Sequence, residues 1–168
     1  MKKPVKLNLG CGPDYKGGFI NVDILDSVKV DKRCDLQKLP LPFKDSSVDY
    51  VYMRYVLMYI RDVYPWLKEL HRICKGGATI RFIEPHFSCT SLHTDLERVR
   101  GFTTDSFKND MYHFNVGQRF KLVRQRIAFP KIKFFMSWFA NRFPGFYEHN
   151  LAYIFQARDV EFVLKVVK

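Results

Sequence analysis

Apolar positions in this chain gather in short runs separated by glycine, proline and charged residues. Val5–Cys11 and Phe19–Ile24 read as strands, and Val30–Leu36 as a weaker third with a polar start. Val48–Val56, rich in β-branched and aromatic residues, predicts a fourth strand. Between the last two lies "LPLPFKDSS" (Leu39–Ser47), which its prolines make a loop. The period then changes. Val63, Trp66, Leu67, Leu70, Ile73 and Cys74 recur at helical spacing on a single face. Asp62 is the expected N-cap, Pro65 fits the first turn, and Gly76-Gly77 supply the expected stop. Ala78–Glu84, ended by Pro85, predicts a fifth strand; Phe120–Phe129 and Val160–Lys168 predict two more. Strands with short connections and at least one crossover helix predict an α/β domain with a largely parallel sheet. The chain has 168 residues and neither repeats nor a linker, which predicts one domain over 1–168.

The first connection carries candidate chemistry. In "VKLNLGCGPDYKGGFINVDI" (Val5–Ile24) the glycines of Gly10-Cys11-Gly12 are followed only by Gly17 and Gly18. A dinucleotide fold sets a G-x-G-x-x-G at the start of a full helix whose N-terminus receives the pyrophosphate. Pro13, Gly17 and Gly18 argue against such a helix, and Asp23 arrives too early for the usual acid, so NAD is disfavoured. S-adenosylmethionine (SAM) makes other demands. Backbone at Gly10 and Gly12 can approach its amino acid end closely. A carboxylate at the end of the second strand, Asp23, suits two ribose hydroxyls, and Asp35 with Leu36 can meet the adenine.

These residues belong to a longer pattern. "LNLGCG…NVD…CDLQKLPLPFKDSSVDYV…LKELHRICKGGATIRF" resembles class I SAM-dependent methyltransferases, and is most similar to the small methyltransferase-11-like members. The resemblance spans Val5 to about Pro85. The later "PHFSCTSLHTDLERVRGFTTDSF" is similar to members with a Pro-His-Phe turn after the fifth strand. The resemblance implies a Rossmann-like, seven-stranded, mostly parallel sheet with the last strand antiparallel, and SAM at the C-terminal ends of the first strands. It implies Gly10, Cys11 and Gly12 as the cofactor loop, Asp23 as the ribose acid, Asp35 and Leu36 at the adenine, and Arg54 and Tyr55 along the methionine end. It also shows departures. Asn8 replaces the acid common before the loop, Met58-Tyr59 replace a Glu-His pair of many relatives, and Lys75-Gly76-Gly77 is one residue shorter than the usual Lys-Pro-Gly-Gly. The substitution at Met58 and Tyr59 motivates an alternative: a catalytically silent SAM-fold module that binds RNA or a partner protein.

Methyl transfer rests largely on holding an acceptor in line with the activated carbon; a base helps only where the acceptor loses a proton. Candidate catalytic groups are His86, Tyr59 and Asp95, with Glu84 and His93 nearby. Each has a bland reading: a turn histidine, a packing tyrosine, an acid paired with Arg98 or Arg100. Segments 86–118 and 131–158 are assigned to the substrate side or a lid. A strand beginning at Val5 predicts a shallow cofactor site unless His86–Gln118 closes it.

Charge changes the picture of partners. The formal charge is +11 and the pI about 9.6, which attracts polyanions such as RNA or a membrane surface and equally suits a solvated lysine-rich exterior. Arg98–Arg142 is basic, with Arg124 and Arg126 on one strand face and Lys131 and Lys133 beyond, against Glu97, Asp105 and Asp110. An anionic acceptor, RNA among them, is therefore the expectation. The aromatic segment 132–143 exceeds one helical face, which suggests a lid, an oligomer contact or a membrane-surface patch besides core packing. Four cysteines without a C-x-x-C pair and five histidines without ligand spacing predict no metal site. Reduced thiols, no apolar run of membrane-spanning length and no signal-peptide core predict a cytoplasmic protein.

Overall fold

The computed structural model describes residues 3–109, 116–130 and 134–168; Asp110 and Lys131 to Lys133 lie outside them. The strands are β1 (Lys6–Leu9), β2 (Ile20–Asp23), β3 (Lys32–Arg33), β4 (Val48–Arg54), β5 (Cys74–Pro85), β6 (Phe120–Ala128) and β7 (Asp159–Val166). They form one seven-stranded sheet in the order β3-β2-β1-β4-β5-β7-β6. β1 to β5 pair in parallel, and β7, inserted between β5 and β6, runs antiparallel to both. This is the expected α/β, Rossmann-like sheet with its last strand antiparallel.

The long helix α1 (Val63–Ile73) connects β4 to β5. Asp62 caps it, its side chain accepting from the Tyr64 N–H. Its apolar stripe, Trp66, Leu67, Leu70 and Ile73, is buried against Leu7, Leu9, Val51, Met53, Ile80 and Phe82 of the sheet. Two polar ties fix the loop after β3 to this helix. Trp66 Nε1 donates to the Leu36 carbonyl (2.9 Å), and the buried Glu69 accepts from the Leu41 N–H (2.6 Å) while pairing with Arg72. Gly76-Gly77 do not end the helix as expected. α1 stops at Ile73, Cys74 already pairs with Val48, and the ladder resumes at Thr79 opposite Tyr50. The glycines thus sit in an irregular start of β5, where Gly77 takes φ +79°.

β1 to β2 and β4 to β5 step across the sheet in opposite directions, so right-handed crossovers put their connections on opposite faces. On the face away from α1, the Gly10–Phe19 connection is held by two buried asparagines. Asn8 Nδ2 donates to the Asp14 carbonyl (2.8 Å) and to Asn21 Oδ1 (2.9 Å), which also accepts from the Lys16 N–H (2.8 Å). An amide at position 8 can donate where a carboxylate cannot. Farther along that face, Arg81 and Arg124 both donate to Glu161 Oε1 (2.8 and 2.6 Å).

Short helices fill the rest: α2 (Ser106–Asn109), α3 (Val116–Arg119), α4 (Phe134–Arg142) and α5 (Pro144–Phe146), the last running into a π-helical turn at Tyr147–Leu151. Phe107 of α2 stacks on Phe82 and meets Phe162 edge-on, which closes the core over β5 and β7. A second, smaller core of Ile127, Phe129, Ala140, Tyr147, Ala152 and Ala157 supports the 134–158 segment beyond β6.

Candidate functional site

The C-terminal ends of β1, β2 and β4 open onto a cavity of about 550 Å³, within the range of small-molecule sites. Gly10, Asp23, Asp35, Leu36, Tyr55 and Tyr59 line it, joined by Ile24, Leu25, Val56 and Val99.

Local geometry explains why β1 is followed by glycine. Gly10 has φ +64°, and a Cβ there would overlap Val56 Cγ2. The position is left-handed and closed by a neighbour, so a larger residue is excluded twice over. Gly12 is also left-handed (φ +50°) but faces open space, leaving backbone accessible. Its N–H donates to Asp23 Oδ2 (2.7 Å), while Asp23 Oδ1 accepts from the Leu25 N–H (3.0 Å). A carboxylate oxygen has two acceptor positions, so the buried Asp23 keeps one free on each oxygen. Cys11 is buried beneath the loop, and burial pushes its thiol up.

β4 ends in a turn that builds the opposite wall. Tyr55 is left-handed too (φ 59°), unusual for an aromatic residue. Its hydroxyl donates to Asp159 Oδ1 (2.6 Å). The next three residues are gathered by one carboxylate: fully buried Glu84 at the end of β5 accepts from the N–H groups of Val56 (3.2 Å), Leu57 (3.0 Å) and Met58 (3.3 Å). Burial pushes the Glu84 carboxyl up to about 7, against the pull of these donors. Arg54 is not part of the lining. It is exposed, with its guanidinium over the Tyr55 ring.

The segment after β5 reaches back over the mouth. The Val99 N–H donates to the Met58 carbonyl (2.8 Å), and Leu96, Glu97 and Val99 line the cavity. Two sequence candidates meet here: Tyr59 donates to Asp95 Oδ2 (2.7 Å), and Arg98 joins both, with its Nε 3.3 Å from the Tyr59 hydroxyl and 3.4 Å from Asp95. Burial pushes the Tyr59 phenol up, and the Tyr59 hydrogen bond lowers the Asp95 carboxyl. The phenol is thus neutral and the acid ionised at neutral pH, an arrangement suited to orienting a group rather than abstracting its proton.

The third candidate, His86, is elsewhere. It has no solvent exposure and lies between Ser88 Oγ (2.8 Å) and Glu148 Oε1 (3.3 Å), against the Phe87 and Tyr147 rings. It ties the post-β5 turn to the π-helical turn and does not face the cavity. The sequence predicts Ile24 as the end of the second strand, but β2 stops at Asp23 and Ile24 turns into the cavity lining. Leu25 and Val99 escaped the sequence reading because an apolar residue in a loop carries no periodicity. The Glu84 anchor escaped because its three donors are backbone.

Residues 11–82 match a family model described as a methyltransferase domain. No curated protein sequence matches the chain. Solved structures do. A SAM-dependent methyltransferase from Archaeoglobus fulgidus is similar at TM-score 0.69 and 14% identity, over 96% of this chain and 86% of that one. One from Mesorhizobium loti is similar at 0.64 and 15%, over 96% and 90%. Geranyl diphosphate C-methyltransferase from Streptomyces coelicolor, solved with S-adenosyl-L-homocysteine, is similar at 0.63 and 14%, over 98% and 71%. The chain therefore has the fold of these SAM-dependent methyltransferases, and the stretch that matches the methyltransferase-domain model is the one that builds the cavity's first wall.

Proposed function

We propose that this protein transfers a methyl group from SAM, bound in the β1–β2–β4 cavity, to an acceptor that enters past Tyr55 and Tyr59. The observation that carries the reading is the paired geometry of Gly10 and Asp23: a backbone cradle that a Cβ would fill, beside a buried carboxylate with acceptor positions to spare. These features fit SAM. Gly10, Cys11 and Gly12 would hold its amino acid end, Asp23 the ribose hydroxyls, and Asp35 with Leu36 the adenine.

SAM supplies a methyl carbon activated by a sulfonium, open to in-line displacement. The chain's part is positional. Glu84 sets the turn that carries Tyr55, Val56 and Tyr59. The Asp95–Arg98 pair orients the Tyr59 hydroxyl toward one edge of the mouth, and Leu96 and Val99 cover the opening. None of these groups needs to take a proton, so an acceptor that is already nucleophilic suits the site. The basic exterior favours an anionic one. The test is incubation of cell fractions with methyl-labelled SAM and either wild-type protein or Asp23→Ala. Label should enter one fraction with the wild type and not with the variant. Binding of SAM without label in any fraction would favour the silent-module alternative.

A further inference from the structure

The segment between β6 and β7 presents an apolar face that the fold leaves uncovered. Phe135 and Trp138 of α4, Phe143 and Phe146 around α5, and Tyr153 and Ile154 after the π-helical turn are all between 45% and 77% exposed. The α4 and α5 rings form contacts rather than isolated points, while Tyr153 packs edge-on against Phe87 (5.7 Å). The Phe135 and Trp138 rings lie 6.3 Å apart, and Phe139 joins Phe143 (5.6 Å) to Phe146 (6.0 Å). The platform under them is fixed. Ala140, Tyr147 and Ala152 are buried, Asn141 bonds both the N–H and the carbonyl of Ile127 on β6, and the Tyr147 hydroxyl donates to the Phe155 carbonyl (2.7 Å). Contiguous aromatic exposure of this kind is rare on a monomeric protein with no ligand for it.

Charge identifies the occupant. Arg142 lies over the Phe143 ring, and Arg124, Arg126 and Arg142 line an open groove beside Trp138. Among described residues 134–158 the one carboxylate is Glu148, whose side chain is 8% exposed and turned inward onto His86 and Thr104. Arg124 is already paired with Glu161, so Arg126 and Arg142 carry the rim. An aromatic centre with such a rim, and no outward acid within 134–158, matches the headgroup region of an anionic bilayer, where rings settle among headgroups and arginines meet phosphates. A second copy of the same face would set arginine against arginine. Single-stranded nucleic acid, whose bases stack on aromatics along a basic groove, is the rival occupant that the experiment below separates.

We propose that the α4–α5 face docks on an anionic phospholipid bilayer, entering it to headgroup depth. No helix among the described residues is long and apolar enough to cross a membrane, so the contact is peripheral. The face follows the C-terminal end of β6, which is parallel to β5, so it borders the same sheet edge as the cavity. Resting on the methyl-transfer reading, this makes the acceptor class one carried at a membrane surface.

The experiment uses the whole chain and needs no SAM. Trp66 is buried and Trp138 exposed, and they are the chain's two tryptophans, so a change in emission on adding vesicles reports Trp138. Phosphatidylglycerol-rich vesicles should shift the emission to the blue and sediment the protein at least about tenfold more strongly than pure phosphatidylcholine vesicles. Phe143→Ser and, separately, Phe135→Ser should each weaken sedimentation several-fold with an unchanged far-ultraviolet spectrum. The proposal is overturned by no sedimentation with either vesicle, or by well-folded variants that sediment like wild type. It is equally overturned if the face serves single-stranded RNA or self-association, with vesicles leaving Trp138 unmoved. Because SAM is absent, failure of the cofactor reading would leave these results standing, and failure here would leave SAM binding intact.

Discussion

The backbone N–H of Gly12 points at the carboxylate of Asp23, 2.7 Å away, so the residue proposed to hold the ribose also holds the loop proposed to hold the methionine end. One side chain thereby couples the two halves of the cavity. Asp23→Ala should remove SAM binding by at least about tenfold, the loss expected when a charged hydrogen-bond acceptor is deleted from a buried site. Asp23→Asn keeps one acceptor oxygen and should fall between. Calorimetric titration of both variants checks the order; equal affinity for wild type and Asp23→Ala would contradict the coupling.

Gly10 meets two constraints that can be separated. Gly10→Ala adds a Cβ that overlaps Val56 and forces an L-residue into φ +64°. The combined cost should be about 2–4 kcal/mol of folding stability. Val56→Ala in the same chain removes the overlap but not the backbone cost, so the double variant should recover part of the loss. Urea midpoints of the four proteins give the cycle. Strict additivity would show that Val56 is not the obstacle.

Glu84 makes stability depend on pH in a definite direction. Its folded value is raised from 4.5 to about 7 by burial, so the folded protein holds this proton more tightly than the unfolded chain. The group's contribution is therefore complete below about pH 4.5 and is lost as pH rises through about 7, an effect of order 3 kcal/mol. Unfolding free energies of wild type and Glu84→Gln, compared between about pH 5 and pH 8, isolate it. The wild-type advantage should shrink toward higher pH; a growing advantage would reverse the assignment.

Tyr59, Asp95 and Arg98 form one network at the mouth. Tyr59→Phe and Asp95→Asn should each weaken SAM binding several-fold by loosening residues 95–99, and the double variant should be little worse than either. If Asp95→Asn abolished transfer at unchanged SAM affinity, Asp95 would be acting on the acceptor instead.

His86 is enclosed by Ser88, Glu148, Phe87 and Tyr147. His86→Ala should cost about 2–4 kcal/mol of stability through the cavity and the lost bonds to Ser88 and Glu148, which Thr104 still holds, and leave SAM affinity nearly unchanged. A stable His86→Ala protein that binds SAM but transfers no methyl group would restore it as a base.

The fold was legible in the sequence where runs are long and apolar, as in β4, and where apolar residues recur at helical spacing, as in α1. The glycine loop and Asp23 were legible because their constraint is local: a left-handed turn needs glycine, and a strand-end acid sits a fixed distance away. Long-range partners were not. Nothing in the order of residues says that Glu84 gathers the N–H groups of Val56, Leu57 and Met58, or that Glu148 encloses His86. The resemblance implies Arg54 along the methionine end, but its side chain is exposed and lies over the Tyr55 ring rather than in the lining. Gly76-Gly77 resembled a helix stop because a glycine pair looks the same at an irregular strand start.

Titration of SAM into the wild-type protein by calorimetry tests the central claim most directly. Saturable one-to-one binding, lost in Asp23→Ala while the variant remains folded, is the predicted result. No heat at millimolar SAM from a folded wild-type protein would contradict it.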